Sequence, residues 1–444
     1  MDGVRRRGLS TLLVVGCMLL AAAPSASAQG VDTTCPFSLT RFDTTTTNVL
    51  ALDTSAVYWT GTYVPIPGTR IRIQGQFPHA RYTSFNTYNT IGRPIDSIAD
   101  VQIKPDAGST NPFLPGANRQ ATKRDYTVFI EFGAKPPRPK PNTIYAGTSE
   151  DGSPSPAGIF WYRVYVPDAG GDRKGNVPLP RVTLETADGK PTPQRTNACR
   201  EVNSPYLDTV EKLIAETEGT PDLTGSATSF PGRSPPNWRL FRNLAQATSF
   251  LLTDSESTER FADAASRIGA GNNAPGFFSN RDIAYVFTGT SQGFGKVLSL
   301  RGRAPTFPDT RGSAAARGGV ARMPAGKQLR YFSFCQYEPT TQRNIDCRND
   351  DRVAVDSRGF YNVVVSTPAN RPANARAECG VTWLPWGPFK QGLLIYRHML
   401  AAPSFRQAIQ RVGEPGRERA AMGDYYPEGR YFADKQAFEA RGCL

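Results

Sequence analysis

The chain has 444 residues, a formal net charge of +13, two histidines and seven cysteines. Two histidines exclude a three-histidine zinc site, and after the N-terminus no stretch approaches the roughly 18 apolar residues of a membrane-spanning helix. The excess of Arg and Lys suits anionic glycans, lipid headgroups or nucleic acid as partners, although an Arg-rich solvated surface explains it equally well.

The N-terminus predicts a signal peptide over residues 1–28. Residues 5–7 are all Arg, residues 9–23 are mostly apolar, and Ala26-Ser27-Ala28 forms an A-x-A cleavage site. We therefore expect a secreted, extracellular protein that begins at Gln29. The alternative is a lipoprotein processing site ending at Cys17, which would leave the protein lipid-anchored.

Six cysteines remain after the signal peptide, an even number that favours disulfides in an oxidising compartment. A zinc site is the rival interpretation, but no C-x-x-C pair and no neighbouring His supports it. The positions of the cysteines favour three pairs, namely Cys35–Cys199, Cys335–Cys347 and Cys379–Cys443.

One pattern occurs twice, as RYTSFNTY over residues 81–88 and as RYFSFCQY over residues 330–337. Flanking segments align in the same order, which pairs Gly75 with Gly302 and Arg124 with Arg358. The second copy has gained 22 residues within the Gly-, Ala- and Arg-rich segment 306–328, which indicates a surface loop. These ordered matches indicate two copies of one domain.

Both copies have the patterns of β-strands. RIRIQ, at residues 70–74, alternates apolar and polar side chains with period 2, and several β-branched or aromatic runs are bounded by Gly and Pro. The repeated pattern has aromatic side chains on both faces, which is typical of a central strand covered on each side. We predict a mainly β protein with two tandem, homologous β-sandwich or jelly-roll domains, over residues 29–203 and 276–444.

Between the two copies the hydrophobic period changes from 2 to that of a helix. The three segments SPYLDTVEKLIAE, NWRLFRNLAQATSFLL and STERFADAASRIG carry apolar residues at helical spacing, separated by Gly- and Pro-containing breaks. We therefore predict a helical module over residues 204–275 that links the β domains.

The segment TWLPWGPFKQGLLIYR, over residues 382–397, resembles the end of a family of bacterial proteins of unknown function with two consecutive β-rich domains. Members of that family commonly have Asn-Trp-Leu-Pro followed by Gly-Pro-Phe, and here Thr382 stands where Asn is expected. RYTSFNTYN also resembles the first domain of that family, and the tail resembles uncharacterised secreted proteins of actinobacteria. The resemblance implies the two-domain β architecture and supplies no activity or catalytic residues.

A nucleophile and a general base are both candidates for chemistry. GTSQG places Ser291 in a G-x-S-x-G motif, but a strand follows it instead of the helix that a nucleophile elbow requires, so a turn is favoured. His79 precedes the repeated strand, where it would reach a cleft as a base or anion ligand, with Arg81 beside it and Asp96 or Asp100 as possible partners. An ordinary hydrogen-bonded His79 remains the simpler interpretation, and His398 is predicted to be structural.

Local carboxylate clusters are the remaining candidates. Calcium takes several oxygen ligands from one loop, but neither acidic cluster matches an EF-hand, so no cofactor is predicted and calcium stays an alternative. The clusters consist of Glu150 and Asp151 in one loop and of Asp346, Asp350 and Asp351 in another.

Two functions from different classes fit this sequence. The favoured one is an exported binding protein for a glycan or another small amphipathic or anionic ligand, held in or between the β domains by stacking and anion contacts. The alternative is a secreted hydrolase of a polysaccharide or ester at the inter-domain cleft. No nucleic-acid-binding module is present, and the oligomeric state is left open. The candidate binding residues are His79, Arg81, Tyr88, Arg330 and Tyr337.

Overall fold

The protein is described by a computed structural model with full side chains. The structure describes residue 37 and residues 40–90, 92–148, 154–192, 233–243, 246–247, 278–311, 321–339 and 342–444. The predicted signal peptide, Cys17, the Cys35–Cys199 pair and most of the predicted helical module therefore lie outside the described residues.

The first half of the chain folds into two packed sheets. A five-stranded sheet has the order β1-β2-β8-β4-β5 and a four-stranded sheet the order β7-β6-β3-β9. Neighbouring strands are antiparallel except β6 and β7. The strands are β1 (Thr40–Phe42), β2 (Ala56–Tyr63), β3 (Thr69–Gln76), β4 (Ala80–Asn89), β5 (Pro94–Ala99), β6 (Asp125–Glu131), β7 (Thr143–Tyr145), β8 (Gly158–Pro167) and β9 (Arg181–Thr186).

The second half repeats this topology strand for strand. Its sheets have the orders β10-β11-β17-β13-β14 and β16-β15-β12-β18, and here β15 and β16 form the parallel pair. The predicted pair of tandem β domains is confirmed. The strands are β10 (Arg239–Leu240), β11 (Ile283–Ser291), β12 (Val297–Arg303), β13 (Tyr331–Tyr337), β14 (Asn344–Asn349), β15 (Phe360–Ser366), β16 (Thr382–Pro385), β17 (Gln391–Met399) and β18 (Glu428–Phe432).

Short helical elements accompany the strands. Two α-helices, α1 (Glu418–Met422) and α2 (Lys435–Glu439), lie near the C-terminus. Each domain also places a single 3-10 turn after the strand that neighbours the repeated one. The 3-10 helices are Asp100–Gln102, Asp350–Arg352, Pro368–Asn370, Ala377–Cys379, Ile409–Arg411 and Gly423–Tyr425.

Strand alternation builds the core of each sandwich. In β3, Ile71 and Ile73 are fully buried between the sheets, as the period-2 pattern predicts. Glycine at position 75 of the same strand leaves room for Tyr126, because an added Cβ would come within 2.7 Å of the Tyr126 hydroxyl. Gly302 admits Tyr361 in the same way in the second domain, which explains why these two glycines align.

One of the three predicted helical segments is a β-strand at its start. Trp238 and Phe241 fit a helical stripe, but Arg239–Leu240 form β10, which pairs with β11. The helical interpretation is wrong at these residues because strand pairing with a distant segment overrides the local period. β10 takes the position in its sheet that β1 takes in the first domain.

Two of the predicted disulfides are present. Cys335 and Cys347 lie directly opposite each other on β13 and β14, and Cys379–Cys443 joins a 3-10 helix to the C-terminal tail. Among the described residues, no helix is both long enough and apolar enough to cross a membrane.

Candidate functional site

The repeated pattern forms the central strands β4 and β13 of the two five-stranded sheets. Phe85 points into the core of its own sandwich, whereas Tyr82 and Tyr88 join a buried cluster with residues of the other domain, including Tyr331 and Met399. The rings of Tyr165 and Tyr331 meet edge to face at 5.7 Å. The strand is therefore covered on one face by its own domain and on the other by the partner domain.

Reciprocal ion pairs cross the boundary between the domains. Arg81 pairs with Asp350, and the equivalent Arg330 pairs with the equivalent Asp100 at 3.2 Å. Burial raises the pKa of both aspartates to about 6, and the facing arginines oppose that rise. Arg81 is fully buried, so these charges have exchanged water for each other.

A second reciprocal network involves the tyrosines that end the repeated pattern. Arg163 donates to the hydroxyl of Tyr88, which donates in turn to the Ser279 carbonyl at 2.9 Å. In the second domain, Arg397 donates to the hydroxyl of Tyr337, which donates to the Leu52 carbonyl at 2.8 Å. Each domain thus binds the segment that enters the other domain's first core strand.

Four of the five predicted binding residues therefore lie in the contact between the domains. The side chains of Arg81, Tyr88 and Tyr337 are fully buried, and that of Arg330 is 11% exposed. The ion pairs and hydrogen bonds described above join these four side chains to protein atoms of the other domain or to an arginine of their own domain. A contact of these residues with a ligand stays a prediction.

His79 has a different environment. It lies immediately before β4 and is partly exposed, and the loop after β8 holds its backbone. The His79 N–H donates to the Gly175 carbonyl at 2.8 Å, and the His79 carbonyl accepts from the Asp168 N–H at 2.9 Å. The nearby carboxylate is Asp168, not Asp96 or Asp100, because Asp96 pairs with Lys135 at 2.8 Å and Asp100 pairs with Arg330.

Two buried arginines share this region with His79. Arg119 forms an ion pair with Asp168 at 2.6 Å and donates to the Ala80 carbonyl at 3.3 Å. Arg124 donates from Nε to the Ala121 carbonyl at 3.0 Å and from Nη2 to the Arg119 carbonyl at 2.6 Å. Within the described part of the chain, Nη1 of Arg124 has no hydrogen-bond partner and no carboxylate pairs with this guanidinium.

The electrostatics of this cluster show an excess of positive charge. Burial, followed by the charge of Arg124, lowers the pKa of His79. Burial and the charge of Arg119 lower the pKa of Arg124 to about 10, while the charge of Asp168 opposes that shift, and burial also lowers the pKa of Arg119 despite its pairing with Asp168. We name His79, Arg119, Arg124 and Asp168 the cationic cluster. The chemistry that such an arrangement supports is the binding of an anion.

The sequence signal for the cluster was incomplete. Arg124 was visible as the aligned counterpart of Arg358, but nothing local connects it to His79. Arg119 and Asp168 come from loops that meet His79 only in the folded chain.

The other candidates have structural environments. Ser291 ends β11 and a turn leads into β12, so the G-x-S-x-G motif does not form a strand-to-helix elbow. His398 is fully buried, accepts from the Ile409 N–H at 3.1 Å, and has a pKa lowered by burial to about 3. Asp346 pairs with Arg348 at 2.6 Å, while Glu150 and Asp151 lie outside the described residues.

Comparisons with known proteins show two similar solved structures. No family model and no curated protein matches the chain, so the family resemblance inferred from the sequence stays a prediction. A solved structure of an uncharacterized protein from Burkholderia cenocepacia is similar, with 12% identity, a TM-score of 0.44, and coverage of 90% of this chain and 93% of that chain. A solved structure of a protein from Vibrio parahaemolyticus has 11% identity, a TM-score of 0.39, and coverage of 86% and 90%. Neither similarity identifies a ligand or a reaction.

Proposed function

We propose that the chain is an exported protein that binds an anionic ligand, foremost an acidic glycan, at the cationic cluster of its first domain. The observation that carries this proposal is Arg124, a buried guanidinium with an unused N–H group and no carboxylate partner among the described residues. Burying an unpaired cation costs several kcal/mol. An anion placed against Arg124 and His79 would offset that cost.

The difference between the two domains supports a site in the first domain only. Gln328 stands at the position that aligns with His79. The sequence alignment pairs Arg124 with Arg358, but the structure places Gly359 at the equivalent position. The Gly359 carbonyl accepts from the Ala304 N–H at 2.9 Å, as the Arg124 carbonyl accepts from the Phe77 N–H. The second domain therefore lacks both the histidine and the buried arginine.

The choice of a glycan rests on the expected export and on the net charge, which is +13 for the full chain and +11 without residues 1–28, which hold three Arg and one Asp. Exported basic proteins meet uronic acids, sulfate esters and phosphate groups on polysaccharides, and each of these groups would accept hydrogen bonds from guanidinium groups. The partial exposure of His79 leaves a route to the cluster from solvent.

Calorimetric titration of the mature chain tests the proposal. Inorganic sulfate and an oligosaccharide bearing carboxylate or sulfate groups are compared with a neutral oligosaccharide of the same length. We expect binding of the anions alone, weakened by salt. Arg124→Met keeps the apolar stem, removes the charge and should abolish this binding. The control Arg358→Met removes an exposed arginine of the second domain and should bind normally. Equal binding of the neutral sugar, or equal loss in both variants, would contradict the proposal.

The hydrolase is the second candidate function, and His79 is the observation in its favour. Its lowered pKa favours the neutral imidazole at pH 7, the form in which a general base accepts a proton. Turnover of chromogenic esters or polysaccharides that disappears in His79→Ala would favour the hydrolase over the binding protein.

A further inference from the structure

The segment gained by the second domain reaches into the first domain. Residues 321–323 pair with the first-domain loop 116–119 by an antiparallel backbone contact. The Gly116 N–H donates to the Met323 carbonyl at 2.8 Å, and the Met323 N–H donates to the Ala117 carbonyl at 3.1 Å. The side chain of Arg322 adds a bond from Nη1 to the Gly116 carbonyl at 2.8 Å. Residues 321–323 thus form a contact between the domains, within a segment for which the sequence predicted a surface loop.

Met323 anchors this contact in the core of the other domain. Its side chain is 3% exposed and belongs to the buried cluster of the first sandwich, together with Phe77 and Phe113. Because a buried methionine contributes apolar burial, removal of its side chain would loosen the segment while leaving the sheets in place.

The backbone of Arg119 connects this contact to the cationic cluster. Its N–H donates to the carbonyl of Ala321, in the gained segment, at 2.9 Å. Its carbonyl accepts from Nη2 of Arg124 at 2.6 Å. Ala321 therefore fixes the backbone N–H of Arg119, and the carbonyl of the same residue accepts from the guanidinium of Arg124.

We infer that residues 321–323 are a clamp that sets the anion site, so that the second domain completes a site whose charged residues all belong to the first. The inference rests on the proposed function. Met323 and Ala321 are positioning residues, because they act through the backbone of Arg119. When the clamp is released, the loop with Arg119 and the guanidinium of Arg124 lose their common support. The apparent affinity is then the affinity of the closed form multiplied by the fraction of time for which the clamp is closed.

The test uses the mature full chain and inorganic sulfate as the probe. In Met323→Ala we expect sulfate affinity to fall by roughly tenfold if the clamp is open nine-tenths of the time. Met323→Leu, which nearly conserves volume, should restore the affinity. By the reciprocity of linked equilibria, saturating sulfate should slow hydrogen exchange at the Met323 amide of the unsubstituted protein.

Ile71→Ala is the matched control for a loss of core packing. Ile71 is fully buried in the same core cluster. It lies on β3, six residues away from Phe77, the residue whose N–H donates to the Arg124 carbonyl at 2.9 Å. This variant should lower the unfolding midpoint as Met323→Ala does and bind sulfate normally. Normal sulfate binding by Met323→Ala, or equal weakening by Ile71→Ala, would overturn the inference and leave the proposed function intact. Absence of sulfate binding in the unsubstituted chain would overturn both.

Discussion

The two domains share their topology but differ in how they compensate buried charge. In the contact between them, each arginine of the repeated strand faces an aspartate, as Arg81 faces Asp350 and Arg330 faces Asp100. Away from that contact the equivalence ends, because the first domain buries Arg124 without an ion pair among the described residues, whereas the second domain has Gly359 at that position. The duplicated strand is thus kept for assembly, and the region beside it has diverged.

The contact resembles the isologous interface of a symmetric dimer, in which one patch meets its own copy. The Phe278 N–H donates to the Gly92 carbonyl, and the Ala51 N–H donates to the Gln342 carbonyl, at corresponding positions of the two domains. The rings of both domains pack into a single buried cluster between these contacts. Because the two domains are copies, each buried ion pair in this contact occurs twice, as Arg81–Asp350 and as Arg330–Asp100.

The largest expected effect breaks one half of that symmetry. Arg81→Met leaves Asp350 buried without its partner, and we expect the free energy of unfolding to fall by about 3–5 kcal/mol. Arg330→Met should cost less, because its side chain is partly exposed and water can replace part of the contact. Urea unfolding at pH 7 measures both losses.

Lys140→Met is the control for that measurement. Lys140 pairs with Glu131 at 2.7 Å, but its side chain is 63% exposed. The control should change the free energy of unfolding by less than about 1 kcal/mol. A loss in Arg81→Met no larger than the control would show that the buried pair is not what holds the domains.

The next effect concerns a position at which the two domains carry different chemistry. Cys335 and Cys347 are opposite each other in the second domain, and Asn86 and Ser97 are opposite each other at the corresponding place in the first. Replacing both cysteines by Ala opens a loop with a sequence separation of 12. We expect a loss of about 3 kcal/mol from loop-closure entropy, measured by urea unfolding without reductant. An unchanged midpoint would mean that strand pairing alone suffices in both domains.

Much of the fold was predictable because its signals are local or repeated. Period-2 alternation revealed strands such as β3, and the doubled pattern at Tyr82 and Tyr331 revealed the two homologous domains. Two disulfides followed from the positions of the cysteines. β10 was missed because Trp238 and its neighbours have helical spacing, whereas the pairing that makes them a strand lies with Phe287.

The candidate site was predictable only through His79. Its position before a central strand was visible, but Asp96 and Asp100 were the wrong partners, because they are engaged by Lys135 and Arg330. Arg119 and Arg124 approach through a loop that the second domain holds from outside. The bond between Arg119 and Ala321 joins residues about 200 positions apart, and hydrophobic periodicity reports only on contacts within one helix or strand.

A smaller effect asks whether the duplicated tyrosines are energetically equivalent. Tyr88→Phe and Tyr337→Phe each remove a hydroxyl that links an arginine to a carbonyl of the other domain. Each should cost about 1–3 kcal/mol, since a buried donor and acceptor lose their partner. Equal losses in urea unfolding would confirm a symmetric contact, and a cost confined to one variant would show that only one half of it carries the stability.

The smallest effect concerns the pH dependence of anion binding. The pKa of His79 is lowered by burial and by Arg124 and Arg119, while Asp168 opposes the shift. A bound anion would favour the imidazolium, so binding should take up protons and tighten by a few-fold, at most about tenfold per pH unit, as pH falls through the range of the His79 pKa. Sulfate titrations in buffers with different ionisation enthalpies measure this uptake. His79→Gln, which installs the residue of the second domain, should bind more weakly and without proton uptake. Arg124 has a pKa of about 10 and stays charged over this range. Proton uptake that persists in His79→Gln would therefore come from a group other than His79 and would contradict this prediction.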